Sequence, residues 1–290
     1  MHPAPSVIVF TVLSGMGFGF LAALGTGLLP VAGGIAFLLW GLGYGLAVSG
    51  LLASTFHLGR PERAWRAFTQ WRSSWLSREA WAAVLTLVIL APQALSDWLG
   101  LGLGRAFGLI GAAGCLATVL CTSMIYAQLR TVPRWNHWSV PVTFVAFSLT
   151  GGLVLAGSGL APAAASVLLG LILVLGWWRG DGAFAKAGVT LASATGLEGV
   201  GTPRVFEQPH TGGNYLLREM IHVVGRRHAA RLRVIAITFV TVIPALAALL
   251  LSGWFAVLPA ALSHLLGAFA ARWLFFAEAE HVVGLYYGRR

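Results

Sequence analysis

The sequence predicts an all-α membrane protein, a polytopic bundle of eight transmembrane helices with short interfacial helices between some of them. Three observations predict it. Of 290 residues, 58% are hydrophobic and only 10% charged, against roughly 25% charged in soluble domains, and the mean hydropathy is +0.81. No soluble fold could hide so much apolar surface. Apolar runs long enough to cross a bilayer recur along the chain. The cations, 19 Lys+Arg against 9 Asp+Glu, gather in a few connecting segments, as they do in polytopic membrane proteins. No fixed-period repeat and no alternating strand pattern interrupts this picture, so residues 1–290 read as one integral membrane domain.

The elements follow in order. The opening MHPAPS has no Lys or Arg and lacks the basic region of a cleavable signal; the apolar run behind it makes the first span, near 6–29. Pro30 separates it from the second, 31–53. A polar stretch leads to the third, 79–98, where Ser77 is placed to cap the helix and Glu79 to sit in its first turn. The fourth span is 104–129 and the fifth 139–158. A turn at Gly157–Pro162 leads to the sixth, 161–178. A long basic connection, 179–231, precedes the seventh, 232–252. Ser252–Gly253 then turns the chain into the eighth, 254–277. Within the long connection, Asn214–Arg233 is expected to form an amphipathic helix, with Leu217, Met220, Ile221 and Val224 on its apolar side.

Orientation follows from the cations. With eight spans, both termini share a side with the loops after spans two, four and six. Those loops and the tail carry seventeen Lys/Arg; the other side carries only Arg105, and Arg272 lies inside the last span. The rule that cations stay inside places the termini and basic loops in the cytoplasm of a bacterial inner membrane. In a soluble protein this excess would point to nucleic acid; here it sets topology, and nucleic acid is not an expected partner.

Glycine is frequent, and the runs Gly15/Gly17/Gly19 and Gly41/Gly43/Gly45 contain the spacing that brings helices close together. Tryptophans such as Trp71, Trp135, Trp138 and Trp178 fall at span ends and read as interfacial anchors. Cys115 and Cys121, about 240° apart on a helix, make no metal-ligand pattern. No metal site is expected, and any iron–sulfur cluster belongs to another chain. His264, in the middle of the last span, reads as a packing residue whose ring finds a partner. The other histidines lie at span ends or in loops, so His264 has no second axial ligand at its depth and no haem is expected.

The segment richest in chemistry is 54–81, STFHLGRPERAWRAFTQWRSSWLSREAW. His57 ends the second span, Pro61 suits the first turn of a short helix, and Arg60, Arg63 and Arg66 recur every three residues along one side of it. An imidazole, an arginine row and the Glu79 carboxylate thus meet at one membrane surface. Interconversion of quinone and quinol moves two electrons and two protons, and needs ring-oxygen partners that exchange protons near neutral pH. The same residues have a plainer reading, with His57 capping helix carbonyls and Glu79 answering the helix dipole. A secondary transporter is a rival from another class, but it would show paired broken helices, which this sequence lacks.

The block STFHLGRPERAWRAFTQWRSSWLSREA resembles the membrane anchor subunits of dimethyl sulfoxide reductase-type molybdoenzymes, a family that includes the anchor of the cytoplasmic sulfite-oxidising (sulfite:quinone) enzyme. MIYAQLRTVPRWNHW, GLEGVGTPRVFEQPHTGGNYLLREM and RWLFFAEAEHVVGLYYG carry the same resemblance further along the chain. It implies a non-catalytic, haem-free anchor that exchanges electrons with menaquinone or ubiquinone. The implied partners are a ferredoxin-like subunit with [4Fe-4S] clusters and a catalytic subunit with molybdopterin. By this resemblance His57, Arg63 and Glu79 form the quinone site. Arg60, Arg66, Arg134, Arg226 and Arg227, on the basic loops, are expected to dock the iron–sulfur partner. The best-known reductase anchors of the family have been assigned termini outside the cell. Termini inside, together with the long basic loop, place sulfite oxidation ahead of S- or N-oxide reduction.

Overall fold

The computed structural model describes residues 1–207, 210, 212–221 and 228–288, without the side chain of His57. Among the described residues eight helices are long and apolar enough to cross a membrane: α1 (Pro5–Gly25), α2 (Gly33–Ala53), α3 (Trp75–Leu99), α4 (Ala106–Ala127), α5 (Ser139–Ala156), α6 (Leu160–Asp181), α7 (Ala229–Leu250) and α8 (Trp254–Ala277). No strand occurs among the described residues.

The bundle is built around α1, which packs against α2, α4, α5 and α8. Its hydrophobic stretch is 78% buried, against 28% to 44% for the other seven, so α1 is the core and the rest are the wall. Being apolar on every side, it has no face that prefers lipid over protein. Its glycines make the close approaches possible. A β-carbon on Gly17 would lie 2.4 Å from the Ala47 nitrogen of α2, and one on Gly19 would lie 1.8 Å from the Ser148 carbonyl of α5. The Ser148 hydroxyl donates to the Gly15 carbonyl at 2.7 Å, completing the α1–α5 seam. Gly15, Gly41 and Gly45 face open space, so the packing value of the two runs rests on Gly17, Gly19 and Gly43. Replacing Gly19 with leucine forces α5 off α1, at a cost of about 3 kcal/mol or more. The expected result is at least about a tenfold drop of the chain in the membrane fraction by immunoblot; undiminished accumulation would show that this seam is not needed.

Lipid-facing side chains such as Leu38, Val88 and Leu171 are exposed on the wall helices. Trp71, Trp138 and Trp178 are exposed near helix ends, where anchors belong. Trp135 differs from expectation. It is 2% exposed, stacks on Phe275 with ring centroids 5.0 Å apart, and donates its indole N–H to the Phe275 carbonyl.

Two local expectations are corrected, and the seventh span holds an irregularity that the sequence analysis did not anticipate. Ser77 does not cap α3: the helix begins at Trp75, Ser74 holds the N-cap position, and the Ser77 hydroxyl accepts the Gln70 N–H at 3.2 Å. The seventh span is not uniform, because Thr238–Val242 winds as a π-turn. Pro244 has no N–H to return to the Val240 carbonyl, so the hydrogen-bond register is disturbed one turn before it. Asn214–Arg233 is not one helix. Leu216–Met220 winds as a single π-turn, Ile221 leaves helical geometry (φ −108°, ψ 50°), and helix resumes at Ala229 as the start of α7. Residues 222–227 of that segment lie outside the described ones.

Candidate functional site

Between α2 and α3 the chain crosses the membrane face as two short 3-10 helices, Ser54–His57 and Pro61–Phe68. Pro61 starts the second by fixing its own φ where no N–H partner is required. With three residues per turn, positions 60, 63 and 66 fall nearly one above another. This stretch roofs a groove of about 1060 Å³. Leu51 and Leu52 of α2, Ala80 and Val84 of α3, and Ile125 and Tyr126 of α4 are among its walls, and Arg60, Arg63 and Arg66 line it from the roof. Leu52 and Val84 are themselves exposed on the outside of the bundle, so the groove opens toward lipid at the end of the helices that carries the cations. It is apolar with a few cationic groups at the top, which is the shape of a site for an amphipathic ligand.

Glu79 is not among the residues that line this groove, although its neighbours Ser77 and Ala80 are. It is 3% exposed and its carboxylate accepts a hydrogen bond from the Thr122 hydroxyl of α4; the same hydroxyl lies 3.1 Å from the Thr118 carbonyl. The structure therefore turns Glu79 into the α3–α4 interface. Arg63 forms no ion pair with it among the described residues. The backbone of His57 closes the first 3-10 turn beside the groove residues Ser54, Thr55 and Leu58; its side chain lies outside the described ones.

Of the expected docking arginines, Arg134 is engaged within the chain. Its guanidinium pairs with Asp181 at 3.0 Å and with Glu278, and Arg233 meets the same two carboxylates at 2.5 and 2.7 Å. This four-membered cluster ties the 130–138 loop to the ends of α6 and α8 and the start of α7. A guanidinium so held, with 14% of its side chain exposed, fixes the helix ends rather than reaching outward. Arg60 and Arg66 are exposed, and Arg226 and Arg227 lie outside the described residues. His137 is likewise local. Its Nδ1 accepts the Ser139 N–H at the start of α5 (3.1 Å), and burial with the neighbouring Arg179 charge holds its imidazole below the ordinary pKa.

Two residues to which the sequence analysis gave no functional role stand out inside the bundle. His264 is 2% exposed; its ring engages the Phe147 backbone, as expected of a packing residue, but its Nδ1 has no hydrogen-bond partner among the described residues. Arg272, 3% exposed, has its guanidinium carbon 3.5 Å from the ring centroid of Phe144 and no ion pair among the described residues. Both line a small internal cavity with Thr11, Ser14 and Thr122. The signal was there to read: an arginine inside a spanning helix is costly and marks function by default.

An eight-helix bundle with a groove open toward lipid under a cationic loop defines an integral membrane protein. Residues 2–176 match the family described as DMSO reductase anchor subunit (DmsC). The protein is 32% identical, over an alignment of 329 positions covering 99% of both chains, to a subunit of the sulfite dehydrogenase of Allochromatium vinosum. The chain belongs to the DMSO reductase anchor subunit family and is a membrane anchor of a molybdoenzyme complex. No solved structure matches it.

Proposed function

We propose that this anchor is the quinone-reactive member of a complex of three subunits that oxidises sulfite and passes the electrons to menaquinone or ubiquinone. The groove beneath the 54–74 loop carries the proposal. Its volume exceeds the 300–1,000 Å³ typical of small-molecule pockets, enough for a quinone ring and the start of an isoprenoid tail entering past Leu52 and Val84. His57 hydrogen-bonds a ring oxygen and exchanges its proton. Glu79 relays protons one layer further in. Arg63, on the roof, orients the head group rather than pairing with Glu79. Reduction of the quinone takes two electrons from an iron–sulfur partner and two protons through these groups. Molybdopterin and [4Fe-4S] clusters reside in the partner subunits.

Sulfite is supported as substrate by the full-length relative's name and by the cation distribution, which favours a complex on the cytoplasmic side. A second reading, reduction of an S- or N-oxide by quinol, is favoured by the family description. One comparison separates them. The complex should reduce a quinone analogue with sulfite only when the anchor is present, and should reduce an artificial dye with or without it. Anchor-independent quinone reduction would remove the proposed role, and quinol-dependent S-oxide reduction without sulfite activity would favour the second reading.

A further inference from the structure

Arg272 presents a problem that the groove does not solve. A guanidinium stays protonated even when buried, and a buried charge without compensation is strongly unfavourable. Phe144 supplies part of the compensation through its ring face. Among the described residues no carboxylate pairs with Arg272, yet one lies a single side chain away. Thr122 hydrogen-bonds Glu79 on one side and lines the cavity with Arg272 and His264 on the other. Tyr126, one turn along α4, lies within electrostatic reach of both Glu79 and Arg272.

The cavity between α1, α4, α5 and α8 has a volume of about 20 Å³, more than the roughly 10–15 Å³ that one water requires. Its polar rim fits a water. One nitrogen of the His264 ring engages the Phe147 backbone, which leaves Nδ1, the nitrogen without a partner, as an acceptor. The Arg272 N–H groups are donors, and the hydroxyls of Thr11, Ser14 and Thr122 stand around the same space. A water there would donate to His264 Nδ1 and accept from Arg272, with Thr122 connecting it to Glu79.

We infer that this cavity is an internal water site and that Arg272, through the water and Thr122, is the charge partner of Glu79, with His264 fixing the water's orientation. Arg272 and His264 are positioning residues in this scheme: they hold the carboxylate as an exchangeable acid beside Tyr126, which lines the groove. The charged or titratable groups around the cavity are Glu79 from α3, Tyr126 from α4, and His264 and Arg272 from α8. The lining residues from α1 and α5 are uncharged. The inference rests on the groove being the quinone site only for its effect on turnover; the coupling of the two charges stands apart from that reading.

The test is a double-mutant cycle in the whole complex, reading thermal stability together with quinone-linked and dye-linked turnover. Arg272→Met should strand the carboxylate and lower quinone-linked turnover at least about tenfold. Arg272→Lys, which restores the charge, should recover it to within about threefold. Glu79→Gln combined with Arg272→Met should destabilise less than the sum of the two single changes, because both stranded charges then disappear. Thr122→Val keeps shape and removes the link, and should lower quinone-linked turnover about fivefold even if Arg272→Met fails to assemble. Additive stability effects, or full quinone-linked turnover in Thr122→Val and Arg272→Met while Glu79→Gln is impaired, would overturn the inference. Less-than-additive stability with normal turnover in Glu79→Gln would keep the charge coupling and remove the quinone reading instead.

Discussion

Replacing His57 with arginine is expected to lower quinone-linked turnover by at least about tenfold while dye-linked turnover of the assembled complex stays normal. The change removes the only imidazole on the 54–68 stretch and puts a fixed charge where a neutral hydrogen-bonding ring is proposed. Arginine does not release its proton near neutral pH, so it cannot take part in proton exchange. A tenfold loss corresponds to about 1.4 kcal/mol, the scale of one good polar interaction. Assembly should survive because the close approaches at Gly17 and Gly19 involve Ala47 and Ser148 rather than the 54–57 turn, and because the ion-pair cluster of Arg134, Asp181, Arg233 and Glu278 that secures the helix ends is untouched. Absence of the anchor from the purified complex would mean that the change unfolds it; retention of quinone-linked turnover would leave His57 as a helix-end residue.

The second large effect concerns sidedness and is close to all-or-none. A reporter active only in the periplasm should be silent when fused after Arg290 and active when placed in the Leu99–Gly104 turn between α3 and α4. The motive is the cation imbalance between the two faces. Arg105, the single cation at the sparse end outside the spans, pairs with Asp97 at 3.4 Å and donates to the Leu24 carbonyl at 3.2 Å, so its charge is partly neutralised there and weakens the bias little. The reverse reporter pattern would put the groove and the partner subunits on the periplasmic side, and would end the case for a cytoplasmic sulfite-oxidising complex.

The eight helices were legible because hydropathy records burial in lipid or protein alike. For the same reason, hydropathy could not say which helix is central: α1 and α6 have the same mean hydropathy in their spans, and only the glycine contacts at Gly17 and Gly19 place α1 in the middle. The π-turn at Thr238–Val242 was hidden because it is a matter of backbone register, to which apolar side chains give no clue; Pro244 was the available hint. Around the groove, the 54–81 segment was legible because polar, cationic and proton-exchanging residues are rare in this chain and cluster there. Its pairings were not. The resemblance grouped Arg63 with Glu79, whereas the rotation of α3 turns Glu79 toward Thr122, and that rotation is set by packing against α4, whose Thr122 is far along the chain from Glu79. Arg134 looked like a docking residue for the same reason: sequence shows charge but not the carboxylates of Asp181 and Glu278 that tertiary structure brings to it.

The central claim is that the groove under the 54–74 loop receives the quinone. A photoreactive quinone analogue, activated in membranes holding the whole complex, tests it most directly through the peptide to which it attaches. The account predicts label within residues 51–84, at the walls formed by α2, the two 3-10 helices and the start of α3, diminished by excess natural quinone. Label that is equally displaceable but confined to the opposite end of the bundle, around residues 97–105, would contradict it.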